Sequence, residues 1–249
     1  MIVVATAGWS IPRVSARRFP GEGTHLQRYA RVLPGVEIDT SFYRDHSADT
    51  YARWAAQTPR SFRFAVKLPR QITHDQRLRA ARRPLDRFLD GVAGLGKRLG
   101  PLIVQLPPSL AFEPSVARSF FTLLRQRHEG PLVCEPRHYS WFEARADALL
   151  LRHRIGRVAA DPAVVPAAAH PGGWPGIAFW RLHGSPRKYW SIYEPEQVAE
   201  WAQALRKLPR RTQAWCVFDN TASGGAAGNA LQMLEILDLP GPRRGHIKD

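Results

Sequence analysis

Short apolar runs recur along the whole chain, and this alternation restricts the fold more than any single motif. The runs are "IVVATAGW" (2–9), "GVEIDTSFY" (35–43), "FRFAVKLP" (62–69), "PLIVQLPP" (101–108), "PLVCEPR" (131–137), "GRVAADP" (156–162), "IAFWRLHG" (177–184) and "AWCVFDN" (214–220). Between them apolar residues return at helical spacing, as in Leu26/Tyr29/Ala30/Leu33, Leu85/Phe88/Leu89/Val92 and Ala230/Leu231/Leu234/Leu237. Near-continuous apolar strands alternating with amphipathic helices are the signature of parallel strands covered on both faces. Eight such units in 249 residues, with no linker or reversal, predict one α/β domain over 1–249, a (β/α)8 barrel with outer helices. A doubly wound open sheet is the alternative. The Ala/Pro/Gly stretch 162–176 reads as a long loop after the sixth strand.

No stretch approaches the roughly 18 apolar residues of a membrane helix, and "MIVVATAGWS" has no signal-peptide character, so a cytoplasmic protein without membrane contact is expected. Cys134 and Cys216, both inside apolar runs, read as reduced core residues. The net charge of +15 favours anionic partners. Its arginines are scattered, however, over 17–18, 77–83, 206–211 and 243–244, which suits a solvated basic surface better than a dedicated nucleic-acid stripe.

Several runs end in ionisable or amide groups: Glu37 and Asp39, Lys67, Gln105, Glu135 and Arg137, Asp161, Arg181 and His183, then Asp219 and Asn220. In a barrel such strand ends converge on the C-terminal rim, where catalytic groups gather above apolar layers. Period two puts Glu37 with Asp39, Glu135 with Arg137 and Arg181 with His183 on shared faces. The competing structural reading is mutual neutralisation in partly buried ion pairs, which adds little net stability.

The motifs "AGWS" (7–10), "VEIDTSFYR" (36–44), "FRFAVKLPRQITH" (62–74), "LIVQLPPS" (102–109), "CEPRHYSW" (134–141), "WRLHG" (180–184) and "VFDNTASGGAAGNA" (217–230) occur in one order. Together they resemble the YecE-like proteins, family seventy-two of the domains of unknown function. The resemblance runs from Ala7 to about Leu237 and implies a TIM-barrel fold. It implies no reaction, cofactor or catalytic residue. Relatives commonly carry two consecutive Asn residues where this chain has Asp219 before Asn220, an added negative charge at the rim.

Four chemistries fit the strand-end residues. For acid–base work the candidates are Glu37, Asp39, Glu135, Asp161 and His183. Lys67, His74, Gln105, Arg137, His138, Arg181 and Asn220 would bind substrate. A divalent metal, with His74, Glu135, His183 and Asp161 as ligands, is not favoured, because Lys67, Arg137 and Arg181 stand among them. A Schiff-base role for Lys67 is weaker than an ion-pair role. For an anion, "HGSPRKYW" supplies Arg187 and Lys188, and "NTASGGAAGNA" supplies Gly224 and Gly225 before a helix; barrels often seat phosphate between these loops. The expectation is therefore an enzyme on an anionic, phosphorylated or nucleotide-like small molecule, with no cofactor identified. The alternatives are a nucleic-acid-binding protein or nuclease, and a noncatalytic ligand-binding barrel.

Overall fold

In the computed structural model, residues 1–239 are described, and Arg243 and Arg244 lie outside them. The elements follow the apolar runs: β1 (Ile2–Thr6), α1 (His25–Ala30), β2 (Gly35–Ile38), α2 (Ala48–Ala56), β3 (Arg63–Lys67), α3 (Arg82–Val92), β4 (Leu99–Gln105), α4 (Pro114–Arg127), β5 (Leu132–Glu135), α5 (Ala144–Arg152), β6 (Ile155–Arg157), β7 (Ala159–Asp161), β8 (Gly172–Gly173), β9 (Ile177–Leu182), α6 (Pro195–Arg206), β10 (Gln213–Phe218) and α7 (Gly225–Leu237). The sixth run is broken at Val158 into β6 and β7. No α-helix follows β7; 162–176 is a loop carrying one 3-10 turn, Pro166–Ala169, and β8.

The strands form two sheets, of four in the order β1-β10-β9-β7 and of six in the order β2-β3-β4-β5-β6-β8. All pairs are parallel except β6 with the two-residue β8. The sheets meet at two seams. At one, Ala7 bridges Glu37 in parallel and the Gly8 N–H donates to the Glu37 carbonyl at 2.8 Å. Gly8 sits at φ +79, a conformation glycine adopts without steric cost. At the other, the chain itself passes from β6 through Val158 to β7, and the Val158 N–H donates to the Cys134 carbonyl at 2.8 Å.

Each strand sends alternate residues to two apolar layers. Val3, Ala5, Ala65, Ile103, Val133, Val158, Phe179, Trp215 and Val217 pack with one another on the inner face. Their chain neighbours Val4, Val66, Leu102, Cys134, Trp180 and Cys216 pack against Leu26, Leu85, Phe121, Leu150, Val198 and Leu231 of the helices. Each fully buried side chain of this size contributes about 1.5–3 kcal/mol. Gly35 and Gly100 make room for Trp215: a Cβ would stand 3.2 Å from its Cζ3 at Gly35 and 2.9 Å from its Cζ2 at Gly100. Following the inner face toward the strand C-termini, apolar residues give way to Glu37, Lys67, Gln105, Glu135, Arg181, His183 and Asp219.

Candidate functional site

Arg181 is the centre of the charged layer and is 1% exposed. Its Nε and Nη2 donate to the two oxygens of Glu37 at 2.9 and 2.6 Å, its Nη1 donates to Glu135 Oε2 at 2.6 Å, and Nη2 also donates to Asp219 Oδ2 at 3.2 Å. This rigid fork suits arginine and would not suit lysine. Glu135 is filled on both oxygens. Gln105 Nε2 donates to Oε2 at 3.0 Å, Arg137 Nε donates to Oε1 at 3.2 Å, and His183 Nε2 lies 3.0 Å from Oε1. The other ring nitrogen, Nδ1, lies 2.8 Å from Asp219 Oδ2. Ionised carboxylates only accept, so both imidazole contacts are hydrogen bonds only when a second proton resides in the His183–Glu135–Asp219 group. Nearer the open end, Lys67 Nζ donates to Asp39 Oδ1 at 2.9 Å and stands 4.0 Å from the Phe42 ring centre.

One guanidinium cannot neutralise three carboxylates equally, and the neighbours decide the outcome. Burial would raise the carboxyl of Glu135, but Arg181, Arg137 and His183 outweigh it and hold it well below the usual range. Asp219 is lowered in the same way: burial opposes, while Arg181, His183 and Lys67 prevail. Glu37 has Arg181 as its cation and little else. Burial dominates there, Arg181 offsets it only in part, and the carboxyl is raised. Arg181 itself is pushed well above its ordinary value, because its carboxylates overcome the burial that would lower it.

The segment after β9 covers this layer. The Tyr189 N–H donates to the His183 carbonyl at 2.5 Å, and the two rings meet edge to face at 5.7 Å between centres. Lys188 is half-buried; burial and the charges of Arg137 and Arg181 lower its amine against the pull of Glu135 and Asp219.

Of the residues read from the sequence, the structure brings together Glu37, Asp39, Lys67, Gln105, Glu135, Arg137, Arg181 and His183, with Lys188 above them. His74 stands at the side. It packs edge to face on Phe42, and burial together with Lys67, Arg70 and Arg137 lowers it to about 4.

Asp161 is not part of the cluster. In register Ala160 matches Arg181 and Asp161 matches Leu182, so Asp161 turns to the opposite face and accepts from the Tyr193 hydroxyl at 2.7 Å. His138 caps the short turn Tyr139–Phe142 through the Ser140 N–H. Asn220 follows the inward Asp219 and turns outward, where its Nδ2 donates to the Ser191 carbonyl and to Asn229 Oδ1. His74, Glu135, His183 and Asp161 do not all come together, and among the described residues no group of three or more His, Cys, Asp or Glu is arranged to hold a metal. Cys134 and Cys216 are free, buried and raised by that burial.

At the anion seat expected between Arg187, Lys188, Gly224 and Gly225, the first backbone N–H groups are turned to the loop's own acceptors. The N–H groups of Gly224, Gly225 and Ala226 donate to the Thr221 carbonyl, Ser223 Oγ and the Asn220 carbonyl. A Cβ on Gly225 would stand 2.7 Å from Ile192 Cγ1 and 2.9 Å from Asn220 Nδ2, so this glycine permits close packing of the loop. Arg187 lies over the exposed Trp190 ring at 4.5 Å.

Of the two residues that end the eighth run, sequence reasoning assigned a substrate role to Asn220 alone and to Asp219 only an added charge at the rim. Parity held the signal: Asp219 is two residues beyond Val217 and four beyond Trp215, both inward. Tyr189, Tyr193 and Asn229 carried no such signal, because loop contacts place them.

A model of a protein family of unknown function, DUF72, matches residues 3–246. The UPF0759 protein YunF of Bacillus subtilis is 24% identical over 276 residues, covering 96% of this chain and 95% of that one. The UPF0759 protein YecE of Escherichia coli K12 is 33% identical over 107 residues, 43% of this chain and 38% of that one. Among solved structures, a DUF72 family protein from Thermotoga maritima superposes with a TM-score of 0.79 at 25% identity, over 96% of this chain and 99% of that one. One from Enterococcus faecalis reaches 0.80 at 22%, with 96% of each chain covered. SacUVDE, at 0.52 and 8% identity over 83% of this chain and 80% of that one, shares the fold alone. The alignment of the family model over nearly the whole chain, with full-length relatives of the same architecture, makes this protein a member of the DUF72 family.

Proposed function

We propose that the two sheets close into one single-domain barrel of eight parallel strands, with β6 and β7 as one strand, and that its C-terminal end is an enzyme active site for an anionic small molecule. The observation that carries the reading is the buried layer of Glu37, Glu135, Arg181, His183 and Asp219. Taking ions out of water costs several kcal/mol each, and well-packed apolar residues would serve a purely structural role at least as well. Glu37 and Glu135 are shifted in opposite directions, which is how acid and base roles are divided between two carboxyls. His183, between Glu135 and Asp219, is the group through which a proton reaches the open end. Lys67, Arg137 and Lys188 surround that end and draw the anion, a phosphorylated or nucleotide-like compound. The two free, buried thiols accord with a cytoplasmic setting.

Thermal unfolding with a panel of organic phosphates tests this reading. A binding compound raises the wild-type midpoint by mass action, and the shift is reduced in Arg137→Gln and Lys188→Gln. A shift that neither substitution reduces removes the site. Absence of any shift across the panel removes the substrate class.

A second reading rests on the exposed Tyr43, Tyr139, Tyr189 and Trp190, carried on loops at this same end, together with the net charge of +15. Aromatic faces interleaved with cations bind single-stranded nucleic acid. A labelled oligonucleotide titrated at two salt concentrations separates the readings: steeply salt-dependent affinity supports nucleic acid, and no binding at low salt rejects it.

A further inference from the structure

Outside the charged layer, the segment 76–83 and the N-terminal halves of α3 and α4 line an open cavity of about 880 Å3. None of the residues of the Arg181 cluster lines it. Helices following parallel strands begin at the strands' C-terminal end, so the cavity opens at the same end of the molecule but in the outer layer.

Four arginines stand around it. Arg79 pairs with Glu113 at 2.7 Å, and Arg87 pairs with Asp45 at 2.7 Å and donates to Gln71. Arg82 and Arg83 differ: both are exposed, and neither side chain makes an ion pair or hydrogen bond with any described residue. Two adjacent guanidinium groups without partners among the described residues, lining a concavity rather than a convex surface, have the chemistry that binds a compact multivalent anion.

The helix ends point the same way. Neither α3 nor α4 has a side-chain cap or an acid in its first turn. The positive end of the α3 dipole therefore carries no compensating acid, whereas Glu113 stands at the N-cap of α4. The floor has the opposite character, since Val116 and Leu123 present apolar, half-buried surface. The volume lies within the range of about 300–1,000 Å3 that small-ligand sites occupy.

We propose that this cavity is a second binding site, separate from the Arg181 cluster, for an organic phosphate with an apolar body, the chemistry of a nucleotide. The phosphoryl groups lie on Arg82 and Arg83 at the start of α3, and the apolar part lies on Val116 and Leu123. The proposal stands independently of the enzymatic reading above.

The probe is N-methylanthraniloyl-ATP, followed by fluorescence polarisation on the full-length protein, with N-methylanthraniloyl-adenosine as the phosphate-free control. Saturable binding of the triphosphate and at least tenfold weaker binding of the nucleoside are expected. Arg82→Gln and Arg83→Gln should each weaken the triphosphate about tenfold, the loss of one charged hydrogen bond. Both positions are exposed and unpartnered, so the melting temperature should not change. Ser119→Glu, which sets a carboxylate inside the cavity, should weaken binding as well. Lys207→Gln, at the exposed C-terminal end of α6 and outside the cavity, should not. Equal affinity in wild type and both arginine variants overturns the proposal, as does no saturable binding up to millimolar probe. Loss confined to Lys188→Gln also overturns it and assigns the nucleotide to the barrel end.

Discussion

Arg181 holds one positive charge against three carboxylates, and its loss should be felt more than that of any of them. Arg181→Met leaves Glu37, Glu135 and Asp219 facing one another in a buried space, an uncompensated charge of the kind that costs about 3–5 kcal/mol. Glu37→Gln keeps the shape of the pair and removes a charge that burial already disfavours, so its cost should be about 1 kcal/mol or less. Urea unfolding of the two variants checks the order; equal losses would mean that Glu37 is as firmly ionised as Glu135. His74 offers a second measurement. Burial first, then Lys67, Arg70 and Arg137, lower it from 6.5 to about 4. Unfolded, this histidine takes its proton near 6.5, whereas folded it waits until about 4. Its contribution to stability is therefore complete above 6.5 and lost as pH falls toward 4. An NMR titration of the ring should give a midpoint near 4 in the wild type and a higher one in Lys67→Met.

Elements here are shaped by what must pass close to them. The turn into α7 is glycine-rich, and the packing around Gly225 gives the reason. Gly225→Val drives methyl groups into Ile192 and Asn220, and overpacking of this kind costs about 1–3 kcal/mol. The fall in melting temperature should be the same with and without phosphate; a phosphate-dependent difference would restore an anion-binding role to the loop. A Cβ on Gly35, in β2, would stand 2.5 Å from Val3 Cγ1 and 3.0 Å from the Arg63 carbonyl oxygen, so Gly35→Ala should cost a similar amount. The segment before α3 shows the reverse case, in which residues other than glycine occupy the left-handed region. Arg77, Leu78 and Ala80 have φ of 49, 67 and 49. Such residues cost on the order of 1–3 kcal/mol each and persist where the surroundings hold them. Arg77 is held by two donations to Ser109, and Leu78 is buried with its N–H on the Ile72 carbonyl.

At the scale of the molecule, the seam between the two sheets is the sensitive point. If they act as one closed barrel, the Ala7 and Gly8 amides, bonded at 3.0 and 2.8 Å to Phe218 and Glu37, should exchange with solvent as slowly as those of β10. Fast exchange there, measured by hydrogen–deuterium exchange, would describe two sheets with an open edge. The whole protein should also weaken in acid. His46, His128 and His153 are lowered by burial and neighbouring arginines, and like His74 they lose stability as pH drops below 6.5. Glu135 and Asp219 are lowered from 4.5 and 3.8, so their share is complete above those values and lost below them. Glu37 is raised and works in the opposite sense, gaining as pH falls. The histidines and the two lowered carboxyls outnumber it, and a net charge of +15 grows further in acid. The unfolding midpoint should therefore decline between about pH 7 and 4; a flat profile would count against these environments.

What the sequence by itself determined is the periodic part of the protein. Apolar runs of strand length, helical spacing between them and charges at the run ends are local patterns, and they led to parallel strands, outer helices and a charged layer holding Glu37, Glu135, Arg181 and His183. Only the tertiary structure decided which of two adjacent polar residues faces inward. Asp219 joins the cluster while Asn220 clips a loop, and Ala160 faces in while Asp161 meets Tyr193, because strand register sets parity and a run such as "GRVAADP" has no polar–apolar contrast to reveal it. Charge balance was equally hidden. Glu37 and Glu135 look alike in the chain and differ in the fold because Arg137 and His183, which stand beside Glu135, leave Glu37 with Arg181 as its main counterion.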